Sequence, residues 1–397
     1  MTSFGLAWRN LVRQPARAVL GILGVAAVGA LLLDMLMLSQ GLIVSFADIL
    51  ERTGFDIRVT ATESLPLMGP RIEDTAQASA DLASLSEVEA VVPGRLASAE
   101  LEGRGGETFQ AVFFGTGPGA RMPWRLVEGQ PLDSVGDPPP ILINRNVAEL
   151  LELVPGSSLP LRGRCSRRQT ALPVVEFRVS GIVVFPFDPA DQLTTAVNLV
   201  DLRRACGIPE DDSVDILFVA SRRGAAAAVA AIREARSDLH PYSNQHLVER
   251  FEGRDFSYFR QISFALSTIT LFFAFLLIAA LLTVSVNQRF AEIAALRALG
   301  FGRSRVVADL LCESAMFVGS GGLLALPLGA ALAVWLDGIL RGMPGFPYDL
   351  HFFVFQPRAL VLYGVLLTLA GVLAAVYPIY LAARLPIAAT LRNEVIS

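Results

Sequence analysis

Apolar residues gather into four long blocks, separated by one long mixed stretch and two short polar ones. Ile262–Val286 is the clearest, with no charge in 25 positions. At 1.5 Å per residue it makes about 37 Å of helix, enough to cross a hydrocarbon core of about 30 Å. Spans are expected at residues 18–44, 262–286, 311–336 and 359–383. Residues 1–17 read as an amphipathic lead-in, with Arg9, Arg13 and Arg17 on one face and Phe4, Trp8, Leu11 and Val12 opposite. The first block is too long for a signal-peptide core and no small-residue cleavage site follows at the usual distance, so it is expected to stay attached.

The stretch 45–260 has the prolines, glycines and mixed charge of a folded domain large enough for its own core. Strands are predicted at Phe55–Ala61, Phe109–Gly115, Pro140–Asn144, Val174–Val184 and Val214–Ala220, which are rich in β-branched and aromatic residues and bounded by turn formers. Helices are predicted at Glu73–Leu85, Asn146–Leu153, Val200–Cys206 and Gly224–Ser237. A last helix, Ser243–Arg260, is expected to feed straight into the second span. The fold class is therefore an α-helical membrane protein with four transmembrane helices and an α+β extracytoplasmic domain inserted between spans one and two.

Segment 287–310 is expected to hold a short amphipathic helix, with Arg289, Glu292 and Arg297 around Ile293 and Leu296, stopped by Gly300 and Gly302. Short-segment arginines set the orientation, since long domains translocate regardless of charge. Nine (Arg9, Arg13, Arg17, Arg289, Arg297, Arg303, Arg305, Arg384, Arg392) fall on the side of the termini, against Arg341 and Arg358 in the loop 337–358. Both termini, the tail 384–397 and the segment 287–310 are thus expected in the cytoplasm.

Within the spans, Asp34 is the ionisable residue of the first, and a carboxylate in hydrocarbon costs several kcal/mol unless it finds water or a partner. It lies near the outer interface or in a polar cleft between helices, or else lines a substrate or conformational pathway. Gly321, Ala325, Gly329 and Ala333 recur every fourth residue of the third span and form a small-residue seam, packed within the chain or across an oligomer. Pro327 is expected to kink that span.

Composition narrows the chemistry. The apolar share of 53% and mean hydropathy of +0.52 mark a multispan membrane protein. Net charge is −4, with no basic tract interleaved with aromatics, so nucleic acid is not an expected partner. All 33 basic residues are arginine, so the chain has no lysine for a Walker A loop, and any ATP driving it is expected on another subunit. His240, His246 and His351 form no H-E-x-x-H, and no C-x-x-C is present, so no metal site is expected. Nor is there a G-x-S-x-G elbow, and Gly115, Gly117 and Gly119 read as a flexible loop, so catalysis is not expected here. Cys165 and Cys206 fall in the external domain, where they pair or remain two isolated thiols; Cys312 falls at the inner membrane face.

The run EIAALRALGFGRSRVVADLLCESA resembles the core of the FtsX-like permeases of ATP-binding-cassette systems, the MacB-type group that includes the lipoprotein-releasing LolC/LolE subunits. LAWRNLVRQPARAVLGILGVAAVGAL resembles the family's first span, and YPIYLAARLPIAATLRNE its C-terminal signature. ILINRNVAELLELVPGSSLPL followed by FRVSGIV resembles its periplasmic core domain. The resemblance implies a non-catalytic permease in a bacterial inner membrane, dimeric with a second copy or a paralogue. It also implies a separate ATPase that carries ATP and Mg and grips a coupling helix at Arg289, Glu292, Ile293, Leu296, Arg297 and Gly300. The expected output is export or extraction of a lipid, lipoprotein, peptide or drug, with membrane lipid and a periplasmic adaptor or lipoprotein as further partners. The alternatives are a mechanotransmitter that activates a cell-wall hydrolase and an anchored scaffold without an ATPase. No fused ATPase domain is expected, the lead-in being too short for one.

Overall fold

The computed structural model describes residues 12, 15–63, 69–103, 105–117, 119, 121–132, 136–165, 172–253, 257–288, 303–343, 347 and 350–383. In chain order it has α1 (Pro15–Arg52), β1 (Ile57–Thr60), α2 (Thr75–Ala83), β2 (Val88–Glu102), β3 (Thr108–Thr116) and β4 (Arg125–Gly129). Next come β5 (Pro140–Asn144), α3 (Arg145–Leu151), β6 (Ser158–Arg164), β7 (Val175–Val184), β8 (Thr194–Asn198) and α4 (Leu199–Ala205). The remainder is β9 (Ile216–Ser221), α5 (Ala225–Ala235), β10 (His240–Ser243), α6 (Asn244–Gly253), α7 (Ser257–Gln288), α8 (Arg303–Arg341) and α9 (Pro357–Ala383). These elements divide into a helical unit (residues 1–42, 256–339 and 351–397) and an α/β unit (residues 43–255 and 340–350).

Four helical stretches are long and apolar enough to cross a membrane: Ala18–Arg52, Arg260–Gln288, Val307–Arg341 and Pro357–Tyr380. Two boundaries differ from expectation, and a third falls partly outside the described residues. Helix α1 continues through Arg52 rather than stopping at 44, because Asp48 and Arg52 pair at 2.7 Å one turn apart while Leu50 is buried on the other side. The link expected as one helix from Ser243 is described as α6 and α7, and residues 254–256 lie outside the described residues. Residues 340–350 of the expected outer loop group with the α/β unit, where Pro347 forms an isolated bridge with Pro189.

In the helical unit the small residues of α8 face α1. A Cβ on Gly321 would lie 2.7 Å from Val25 Cβ, and one on Gly329 would lie 3.1 Å from Leu33 Cδ2. Ala325 and Ala333 on the same face are buried. The approach is mutual, since a Cβ on Gly29 of α1 would come within 3.0 Å of Ala325 Cβ. Without side chains to hold them apart, the two backbones gain the van der Waals contact that associates helices in lipid.

The α/β unit is built on a ten-stranded sheet in the order β10-β1-β9-β2-β3-β8-β5-β7-β4, with β6 pairing β2 and β7. The pairs β3–β8 and β5–β7 are parallel and the others antiparallel. Strand β2 joins the two halves: Val88–Gly94 pairs with β9, and Gly94–Glu102 pairs with β3. Alternation sends Ala111 and Phe113 into one core with α3 and α4, and Leu217 and Val219 into a second with α2 and α5. Phe114 and Phe218 point to the opposite face. Both faces of these strands are therefore apolar, and helices α2 to α5 cover one of them.

Polar clamps tie strands β2 and β5 to the segments around them. Asn144 caps α3, accepting from Val147 N at 3.0 Å, and its amide donates to Asp188 Oδ2 and to the Gln192 carbonyl at 2.8 and 2.7 Å. Thr194 also donates to Asp188, at 2.9 Å. Across the sheet, Arg95 reaches Ser213 O at 3.1 Å and Asp211 at 2.8 Å. Asp215 accepts from Leu96 N at 2.8 Å and from Arg71 at 3.1 Å. Burial opposes ionisation of Asp211, yet the hydrogen bonds from Arg95 and Ser213 and the Arg95 charge outweigh it and hold its carboxyl at about 2.

Two tests follow from this packing. Gly321→Leu should destabilise the helical unit by about 1–3 kcal/mol or more through overpacking, whereas Gly319→Ala on the same helix, with nothing within 4 Å of its added Cβ, should be neutral in a detergent thermal melt. Equal melts for the two variants would remove the close α1–α8 approach. Burial, opposed by the Thr194 and Asn144 hydrogen bonds, raises the Asp188 carboxyl to about 6. Its folded pKa exceeds the unfolded one, so its stabilisation is full below about pH 4 and is lost as pH rises through about 6. The loss is about 3 kcal/mol at most. Melting of the wild type should fall across that window and Asp188→Asn should flatten the fall; parallel profiles would contradict it.

Candidate functional site

The expected coupling residues Arg289, Glu292, Ile293, Leu296, Arg297 and Gly300 lie outside the described residues. Asp34 is fully buried in the helical unit, and both carboxylate oxygens are without a hydrogen-bond partner among the described residues. Cys165 and Cys206 form a disulfide with Cα atoms 5.5 Å apart, joining the residue after β6 to the end of α4. Cys312 is a free thiol.

Two further carboxylates in the third span were not singled out from the sequence. Glu313 is buried and accepts from Ser285 Oγ at 2.6 Å, tying α8 to α7. Asp337, near the other end of α8, accepts from Phe352 N at 2.8 Å and lies 3.1 Å from His351 Nδ1. The signal that marks Asp34, a charge inside an apolar block, marks Glu313 as well. Nearby, Ser314 donates to the Gly371 carbonyl and Tyr363 to the Gly322 carbonyl, both at 3.1 Å, linking α8 to α9. Side-chain and backbone hydrogen bonds thus join α7, α8 and α9. Among the described residues no group of three His, Cys, Asp or Glu could hold a metal ion.

The α/β unit holds a mostly apolar cleft of about 440 Å³. It lies over the sheet face opposite helices α2 to α5. Leu96, Val112, Phe114, Ile216 and Phe218, from β2, β3 and β9, line it. Phe46 and Leu50, from the last turns of α1, form another part of the lining, and Leu50 packs with Tyr242 and Leu247. Trp124 and the 185–189 loop complete it, with Trp124 edge-on to Phe114 at 5.9 Å and to Phe185 at 5.6 Å. Phe187 meets Phe46 at 6.0 Å. The volume is that of a small-molecule site, about 300–1,000 Å³, and the lining is largely aromatic and aliphatic.

Polar groups in the cleft are few. Arg58 is 5% exposed; its Nη1 donates to Asn244 Oδ1, its guanidinium carbon lies 5.9 Å from the Phe218 ring centroid, and its Nη2 is buried without a hydrogen-bond partner among the described residues. Burial pulls the Arg58 pKa down to about 10, against the opposing pull of Tyr242 and Asp56, so it remains cationic at neutral pH. Asp188 also lines the cleft, engaged by Asn144 and Thr194. No sequence motif signalled this cleft. Its residues come from distant segments, and only the doubly apolar strands FQAVFF and DILFVA hinted that both sheet faces are covered.

Comparison with known proteins gives the following. Residues 264–387 match the family model for the FtsX-like permease C-terminal region. The macrolide export ATP-binding/permease protein MacB of Rhodospirillum rubrum is 27% identical over 371 residues, covering 87% of this chain and 56% of that protein. The chain thus spans little more than half the length of that relative. The periplasmic region of MacB from Actinobacillus actinomycetemcomitans aligns with 52% of this chain and 98% of its own, at 15% identity and a TM-score of 0.39. The extracellular domain of the noncanonic ABC-type transporter YknZ from Gram-positive bacteria covers 48% of this chain and 99% of its own, at 12% identity and a TM-score of 0.34. The likeness to FtsX-like permeases read from the sequence therefore stands, carried by the segment that holds the second, third and fourth apolar helices.

Proposed function

We propose that the chain is the permease subunit of a MacB- or LolCDE-type ABC transporter, lying in a bacterial inner membrane with both termini cytoplasmic and the α/β unit outside. The observation that carries the reading is the family match over residues 264–387, in a chain with four helices apolar enough to span. With no lysine among its 397 residues, a Walker A loop lies elsewhere, and the reading assigns ATP and Mg to a separate ATPase. Two features support the external placement of the α/β unit: the nine-to-two arginine asymmetry of the short segments, and a disulfide, which persists in oxidising compartments.

In this reading ATP-driven closure of the partner moves the helices through the segment 287–310, and the α/β unit moves with them. A second permease copy or a paralogue completes the complex. The R. rubrum relative's name describes macrolide export, and the cargo here is a lipid, lipoprotein, peptide or drug handled on the outer side. The ligand-sized cleft favours this reading over activation of a cell-wall hydrolase, because a pure transmitter of motion has no use for such a cavity.

Leu296→Asp and Glu292→Arg test the coupling. An unpartnered charge placed in an apolar interface costs several kcal/mol, while the same change on a solvated face is nearly silent. Both variants should lose co-purification of the ATPase and transport-dependent growth with the melting of the full chain unchanged; retention of wild-type binding and growth would end the coupling assignment. For orientation, a cysteine placed at Gly302 should resist membrane-impermeant labelling of intact cells, and one placed at Gly105 should react. The reverse pattern would invert the topology.

A further inference from the structure

We propose that the aromatic cleft of the α/β unit is a binding site for a single-chain anionic amphiphile, an apolar tail carrying one carboxylate or phosphate head that Arg58 receives. Three observations meet there. The lining is almost wholly apolar, with Phe114, Trp124, Phe185 and Phe218 presenting ring faces and edges to the space. Its buried cation, Arg58, commits Nη1 to Asn244, while Nη2 makes no hydrogen bond among the described residues. The carboxylate in the lining, Asp188, is engaged by Asn144 and Thr194, and Asp56, whose charge acts on Arg58, is engaged by Ser221; among the described residues neither forms an ion pair with the guanidinium.

The chemistry of the walls selects the occupant. A peptide strand or a polyhydroxylated ring would bury several polar groups against aromatic carbon, each unpaired group costing a few kcal/mol. A single-chain amphiphile has one polar end to satisfy, and a guanidinium donor makes the stronger, charge-assisted bond to an anion. Trp and Phe edges accommodate a flexible tail without demanding a fixed shape. Phe46 and Leu50 place the end of α1, the helix whose earlier residues form the first apolar span, in the lining of the same cleft. An occupant therefore contacts the helix that the proposed permease would move, and in this respect the inference rests on that reading.

The test uses the full chain in detergent, with Trp8→Phe and Trp335→Phe leaving Trp124 as the reporter among three tryptophans. Spin-labelled stearate should quench Trp124 saturably, and its uncharged methyl ester should bind about ten-fold more weakly, the scale of one charge-assisted hydrogen bond. Arg58→Met should bring the acid to the level of the ester and leave the ester unchanged, while Arg58→Lys retains part of the preference. Should Arg58→Met fail to fold, Leu96→Phe decides, since it fills the cleft with Arg58 intact and should weaken both probes. Quenching that does not saturate, equal binding of acid and ester, or no effect of Leu96→Phe would overturn the site. So would displacement of the probe by an uncharged apolar peptide as effective as unlabelled stearate. No ATPase is present in this assay, so its failure leaves the coupling test of Leu296 and Glu292 standing, and failure of that test leaves this one standing.

Discussion

The backbone's need for hydrogen bonds governs α1, and much else depends on α1. A helix of 38 residues is about 57 Å long, well beyond the hydrocarbon thickness of about 30 Å. The helix satisfies its own amides along its length, and its final turns also find side-chain partners. Leu50 finds them in Tyr242 and Leu247, with Phe46 and Val248 packed alongside. The same turns then supply part of the lining of the aromatic cleft. At its other end α1 meets α8 through glycine and alanine, so a single helix is held by close backbone packing in one unit and by aromatic and aliphatic side chains in the other.

Three buried polar side chains of α8 share a pattern that Asp34, among the described residues, does not. Glu313, Ser314 and Asp337 of α8 each find a partner on another helix or on the segment preceding α9, so the energy of burying them is recovered in hydrogen bonds between elements. Asp34 is buried to the same degree with both oxygens unmatched. Such a group is stable only where something elsewhere offsets it, which is why ionisable residues inside spans are read as functional.

Much of the fold was legible because periodicity is strong where burial is one-sided or complete. The strands PILIN and VEFRVSGIVV came out within a residue of the observed elements, and four long apolar helices were legible, although α1 runs on to Arg52 and α8 begins at Arg303, both beyond the expected bounds. Strand β2 did not, since VEAVVPGRLASAELE carries Pro93, Gly94 and several small residues, and its long pairing with β9 and β3 is a tertiary effect. Strands β6 and β10 contain prolines, and β4 is exposed throughout, so neither alternation nor propensity marks them. The small-residue face of α8 was legible, but its partner was not, because a face pattern does not name what it faces. Arg58 was invisible for a related reason: one arginine in FDIRVTA reads as the polar phase of an alternating strand until the fold buries it over Phe218.

The grouping of residues 340–350 with residues 43–255 makes the α/β unit discontinuous along the chain. The polypeptide passes between the two units at 42/43, 255/256, 339/340 and 350/351. Excising residues 43–255 as a portable fragment would discard the second piece and strip Pro189 of its bridge to Pro347. It would also sever α1 between residues 42 and 43. A graft that swaps α/β units between related chains therefore has to exchange two inserts together, the long one and the short loop between the third and fourth helices.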